Sequence, residues 1–520
     1  MLNQGVGSWL QRRLHKSGNH PATIFNDQVT TYAELAERSS RLASIFSEWG
    51  VAKGSRVAYL GENHPSFLEC FFAATQLGAM LVPLNTRLAP PEINFALTDS
   101  GSTILMVSDA LRTTGEAALP GSAVEHLIYV NDAFTAGLSA ERPAIAGIHA
   151  TNLDEIIAEG DPTYVDLDVQ LEDPAMIMYT SGTTGNPKGA VLTHENFTWN
   201  SYNVLVDYDI SSSDVALMIS PLFHSAAFGM GTLPTLLKGA TLILEAGFEP
   251  GRVLELIQKY KATNISGVPT TYQMLAEHPN WATTDISSLQ KLTCGGSPVP
   301  MRVLEAYEAR GLSFSGGYGM TETSPGATSL QPSRSRDKMG SAGLPHFFTD
   351  VRIVDHAGHE APQGEVGEIQ IQGRNVIDEY WHLPEASAAS FADGGWFKSG
   401  DMGYFDEDGF LFISDRLKDM IISGGENIYP AELEKIIMEL TDVSGVAVFG
   451  VPDEKWGEVP WAAFTVKPGS TITGDDVRNH LANRVARYKI PKQYFVVDEL
   501  PRTASGKIRK GDLRAQYSPQ

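Results

Sequence analysis

Short β-rich runs alternate with helical stretches along this 520-residue chain, and that alternation limits the folds open to it. Arg56–Leu60, Leu81–Leu84, Thr103–Val107, His126–Val130 and Ala240–Leu244 read as strands, and Thr31–Ala43 carries apolar residues at helical spacing. Strands separated by helices predict parallel sheets whose faces the helices cover, an α/β fold. A hydrophobic content of 42% over this length can bury large cores, and the length suggests more than one domain. The expected arrangement is a large N-terminal domain over 1–414, with a small β-rich subdomain formed by Gly364–Ile371 and Gly409–Ser414. A polar, charged hinge at 415–419 and a smaller α+β domain over 420–520 follow, in which Val446–Gly450 and Trp461–Val466 flank helical material that ends at Tyr488.

Formal charge is −23, which argues against general nucleic-acid binding. The charge is uneven: between Arg484 and Arg514, nine Lys and Arg stand against three Asp and Glu. Such a stretch is either a contact for a local anionic ligand or a solvated helix face. Cys70 and Cys294 are the only cysteines, so a disulfide framework is excluded and a reducing, cytoplasmic compartment is expected. Met1–Leu10 is too polar for a secretory signal and runs into Arg12-Arg13 without a cleavage site. The longest apolar stretch, Phe71–Leu84, is interrupted by Gln76 and is too short to span a bilayer. Peripheral membrane contact and a homodimer stay open.

Chemistry enters at Tyr179–Gly189, Tyr-Thr-Ser-Gly-Thr-Thr-Gly-Asn-Pro-Lys-Gly, directly after the apolar run Ala175–Met178. A strand feeding such a loop brings bare backbone N–H groups, four Ser and Thr hydroxyls and one ammonium to a single point, which suits polyphosphate. The alternative is a Ser/Thr/Gly surface turn without a ligand. The kinase and GTPase loop pattern fails, because Asn186-Pro187 follows Gly185 and proline cannot sit comfortably inside a helix.

The loop resembles the phosphate-binding signature of the acyl-adenylate-forming superfamily, which includes acyl-CoA synthetases, 4-coumarate-CoA ligases, adenylation domains of peptide synthetases and beetle luciferases. The resemblance runs from near Thr30 to Lys510, and six further segments match in order. They are Pro221–His224, Gly317–Thr323, Trp396–Asp401, Asp415–Asp419, Ser423–Pro430 and Pro501–Lys507, with Cys294–Pro298 as a weaker match. The resemblance implies ATP, Mg²⁺ and coenzyme A as partners of a small carboxylic acid. A carboxylate repels nucleophiles; its attack on the α-phosphate of ATP gives an acyl-adenylate and pyrophosphate, and the CoA thiol then displaces AMP. Both steps build charge on oxygen, so a metal, cations and oriented donors are needed.

The resemblance also implies roles, residue by residue. Thr180, Ser181, Gly182, Thr183, Thr184, Gly185 and Lys188 form the phosphate loop, and Gly296 and Ser297 a second, adenine-side loop. In Gly317-Tyr318-Gly319-Met320-Thr321-Glu322, Tyr318 offers a flat face for adenine, Thr321 a hydroxyl for phosphate, and Glu322 a hard oxygen for Mg²⁺. Asp401 matches the ribose-binding aspartate and Arg416 a nucleotide contact. Lys507 matches the lysine that neutralises charge during adenylation. Lys418 matches the hinge about which the C-terminal domain turns, exchanging the Lys507 loop for that of Ser423, Gly424 and Gly425. Each has a plainer reading: a helix start capped by Thr, an Asx turn, a linker arginine or a solvated terminal lysine.

His224 is expected at the junction of the acyl and phosphate sites, unless it is an ordinary strand-end histidine. The apolar Ser225–Gly231 that follows has small residues, no Asp for an amino-acid ammonium and no Arg or Lys for a second carboxylate. A fatty or aryl carboxylate is the expected substrate of an AMP-forming acyl-CoA ligase. An adenylating enzyme that loads a carrier-protein thiol, a luciferase-like oxygenase, and a non-catalytic binding module are the competing readings.

Overall fold

A computed structural model describes residues 1–131, 145, 147–180, 187–295, 299–416, 419–423, 426–453, 456–482, 484–485, 487–502 and 508–517. The chain divides into two compact units, Met1–Val351 with Ile371–Phe397, and Arg352–Gln370 with Lys398–Gln520. The hinge expected at 415–419 falls inside the second of them, which also takes in part of the expected β-rich subdomain.

Unit one holds two sheets. In the first, seven strands run in the order His149–Asn152, His126–Val130, Ile104–Ser108, Arg56–Leu60, Met80–Leu84, Pro174–Thr180 and Lys188–Thr193. All neighbours are parallel except the last pair, an antiparallel hairpin closed by Thr180 opposite Lys188. In the second, nine strands include a parallel core of Phe314–Tyr318, Lys291–Cys294, Asn264–Gly267, Val215–Met218, Thr241–Leu244 and Pro21–Phe25. The strands expected from sequence are present to within a residue at their ends, and the parallel α/β fold stands.

Helices cover these sheets for reasons legible in the chain. Tyr32–Glu48 begins at a capping box in which Thr31 Oγ1 accepts from Glu34 N and Glu34 Oε2 from Thr31 N, at 3.2 and 2.7 Å. It buries Leu35, Leu42 and Phe46 on one face. Within the apolar stretch at Phe71–Leu84, helix Pro65–Gln76 is buried all round and strand Met80–Leu84 follows it. Among the described residues, no helix is long and apolar enough to cross a membrane.

Unit two is α+β. Val443–Asp453 and Gly457–Val466 pair directly as a long antiparallel hairpin, so the helix Gly474–Leu481 comes after both rather than between them. Its core gathers Ile421, Leu433, Val446, Phe464 and Leu481. Much of the basic stretch is paired inside the unit: Lys489 with Glu432 (2.7 Å), Lys510 with Glu434 (2.9 Å) and Arg514 with Asp419 (3.0 Å).

Candidate active site

Parallel strands deliver loops at their C-terminal ends, where ligands of open α/β sheets bind. In the nine-stranded sheet those ends lead to Ser220–His224, Gly267, Gly295 and Met320–Glu322. In the seven-stranded sheet, Thr180 ends its strand and leads into the segment expected to bind phosphate.

Glu322 lies in a single 3₁₀ turn, Thr321–Thr323, rather than at the start of a helix. Thr323 Oγ1 accepts from Met320 N (3.0 Å), and Gly319 is obligatory because a Cβ there would sit 1.6 Å from the Pro325 carbonyl oxygen. Asn375, fully buried, donates to the carbonyls of Thr323 (2.9 Å) and Gly326 (2.6 Å). Asn200 accepts from Gly326 N (3.0 Å) and donates to Gly229 O (2.8 Å). The Glu322 carboxylate receives the Tyr380 hydroxyl on Oε1 at 3.0 Å, with Thr180 Oγ1 at 3.5 Å from the same oxygen. Burial and the neighbouring Glu322 charge push the Tyr380 phenol well above its ordinary value.

His224 follows Pro221 in a tight turn, its N–H donating to Pro221 O at 3.0 Å, and precedes the π-helical Ala226–Thr232. Asn63 clamps this segment from the other sheet, donating to Ser220 O (2.9 Å) and accepting from Leu222 N (2.8 Å). Ser225 Oγ lies 3.3 Å from Thr321 Oγ1. Thr180, Lys188, Thr321 and Glu322 are thus brought together, with the His224 segment against them. Tyr318 ends its strand and Gly317 pairs with Ser329.

In unit two, Asp401 is buried and lies opposite Arg416 in antiparallel register. Ser423, also buried, lies opposite Glu426. Arg502 and Ile508 form a bridge, and Arg509 N donates to Pro501 O at 2.8 Å, flanking the Lys507 segment. Ser181, Gly182, Thr183, Thr184, Gly185, Gly296, Ser297, Lys418, Gly424, Gly425 and Lys507 lie outside the described residues. Sequence reasoning missed Tyr380, Asn375, Asn200 and Asn63. A faint signal for Asn200 existed in Asn196, Asn200, Asn203 and Asp207, polar residues at helical spacing on one side of helix His194–Asp207.

The fold and the site together define a nucleotide-dependent α/β enzyme, and comparison with known proteins narrows the class. The AMP-binding enzyme family model matches residues 10–381 and the AMP-binding enzyme C-terminal domain model matches 432–507. The chain belongs to the AMP-binding enzyme family. It is 48% identical over 517 residues to a feruloyl-CoA synthase of Amycolatopsis sp, covering 99% of this chain and 100% of that one. It is 38% identical to a long-chain-fatty-acid–CoA ligase of Mycobacterium tuberculosis, covering 99% of each. The o-succinylbenzoate-CoA synthetase of Bacillus subtilis, solved with its acyl-adenylate intermediate, superposes with a TM-score of 0.85 at 33% identity, covering 99% of this chain and 98% of that one. The same enzyme has been solved with ATP and magnesium ion, at a TM-score of 0.84 and 33% identity over 98% of each chain. This protein is an AMP-forming acyl-CoA ligase, working through an acyl-adenylate.

Proposed function

We propose that this ligase activates an aryl carboxylate with magnesium-bound ATP and passes the acyl group to coenzyme A. The observation that carries the reading is the Glu322 carboxylate held beside the base of the phosphate hairpin, 3.0 Å from Tyr380 and 3.5 Å from Thr180. Among the described residues no three metal-ligating side chains cluster. One carboxylate among hydroxyls fits a magnesium ion that arrives on the nucleotide and keeps its waters. Magnesium, when bound, neutralises charge on the triphosphate. The chain's own residues do the rest in this reading: Lys188 and the phosphate loop hold the polyphosphate, Asp401 and Arg416 the nucleoside, and His224 and Thr321 line the reacting junction. Lys507 meets charge developing during adenylation, and the domain over 420–520 then turns about Lys418 to present Ser423–Gly425 for thioester formation.

The aryl preference is supported by the identity of 48% to the feruloyl-CoA synthase against 38% to the long-chain-fatty-acid–CoA ligase. A panel of hydroxycinnamates, arylacetates and fatty acids, assayed for AMP release with and without CoA, tests it. Aryl acids should lead in kcat/KM with AMP and thioester in equal amounts; preference for fatty acids would overturn the aryl reading. Transfer to a carrier protein but not to CoA would support the alternative acceptor.

A further inference from the structure

One short extended segment ties together two motifs that are far apart in the chain. Ile377 N donates to the Glu322 carbonyl at 2.9 Å. On the other side, Val191 N donates to Glu379 O (3.2 Å), Trp381 N donates to Gly189 O (2.7 Å), and Ala190 pairs antiparallel with Tyr380. The strand that begins at Lys188 and the turn that carries Glu322 therefore share a backbone brace. Tyr380 sits at its centre, 7% exposed, with its own N–H on Ser387 Oγ at 2.9 Å. Its hydroxyl reaches Glu322 Oε1 and its ring lies 5.1 Å from Lys188 Nζ.

We propose that Tyr380 is a positioning residue that aims the Glu322 carboxylate at a divalent cation carried by the nucleotide, and sets its spacing from Lys188. The inference rests on the reading of Glu322 as the metal contact. A glutamate side chain has three rotatable bonds, and a single hydrogen bond to one carboxylate oxygen restricts them while leaving the other oxygen directed elsewhere. Thr180 at 3.5 Å is too distant to do this alone. A neutral phenol donates without cancelling the carboxylate's charge. The ring face meanwhile attracts the Lys188 ammonium, so one aromatic side chain touches both charges.

The test is calorimetric binding of ATP to the full-length protein without carboxylate, in excess Mg²⁺ and in EDTA. Tyr380→Phe keeps the ring and loses only the hydroxyl. It should weaken binding about tenfold in Mg²⁺, the range for a lost hydrogen bond to a charged group. Binding in EDTA and the KM for carboxylate should be unchanged. Glu322→Gln is the control: if it binds magnesium–ATP normally, the metal reading of Glu322 fails and the inference with it. If Glu322→Gln is weak and Tyr380→Phe binds as wild type, the inference alone is overturned. Equal weakening of Tyr380→Phe in Mg²⁺ and in EDTA would also overturn it, by showing a general structural role.

Discussion

Around Glu322 the chain is held by side chains that reach across the sequence: Asn375 to Thr323 and Gly326, Asn200 to Gly326 and Gly229, Tyr380 to Glu322. In the second unit the candidate residues are held by strand pairing close at hand, with Asp401 opposite Arg416, Ser423 opposite Glu426, and Arg502 opposite Ile508. The two arrangements respond differently to displacement. Shifting the Glu322 turn would orphan several buried polar groups, each costing about 1–3 kcal/mol. A hairpin's bonds are internal, so its geometry survives if the unit carrying it moves as a body. Under the proposed turn about Lys418, the Glu322 turn would belong to a fixed half and the Ser423 and Lys507 segments to a portable half, with Asp401 and Arg416, ahead of the pivot, left in place.

Glu322→Ala attacks the fixed half at its charged centre. It should lower adenylation, followed as pyrophosphate release, by about 10²–10³, as for loss of a key electrostatic group; a near-normal rate would remove Glu322 from the reacting charge. Lys507→Ala attacks the portable half, with an expected loss of about 10² in adenylation. Thioester formation from supplied acyl-adenylate and CoA should persist, and equal loss in both assays would deny the division of labour. Lys418→Pro, fixing φ near −65° at the proposed pivot, should leave adenylate formation intact and slow thioester formation about tenfold. A folded variant with wild-type thioester rate would move the pivot elsewhere. Asn375→Ala should cost about 2–3 kcal/mol of unit-one stability, because three partners lose their bond. Urea unfolding that shows no loss would mean the turn is held by its neighbours alone.

The segments that sequence made legible are those whose chemistry is local. The strand before Thr180, the proline that ends the expected phosphate loop, and the helical spacing after Thr31 each declare themselves within a few residues. Tyr380 and Asn375 do not, since each acts on a turn more than fifty residues away and nothing beside it in the chain marks the partner. The basic stretch left two readings open, and part of it is settled by distant partners. Read as a run it suggests an anionic ligand or a solvated face, and neither reading names Glu432, Glu434 and Asp419, outside the run, which pair with Lys489, Lys510 and Arg514. Residues 352–370 fall with the second unit because they pack there, a preference composition does not express.

Both cysteines are buried, and Cys294 ends a strand at the margin of the proposed adenine loop. Burial pushes the Cys294 thiol up to about 12, and Cys70 is shifted in the same direction. Near neutral pH neither offers an appreciable thiolate, the form that attacks an activated acyl group. A mixed anhydride formed here therefore faces no sulfur nucleophile belonging to the protein. The anhydride thus meets no cysteine of its own enzyme to compete with a thiol from outside.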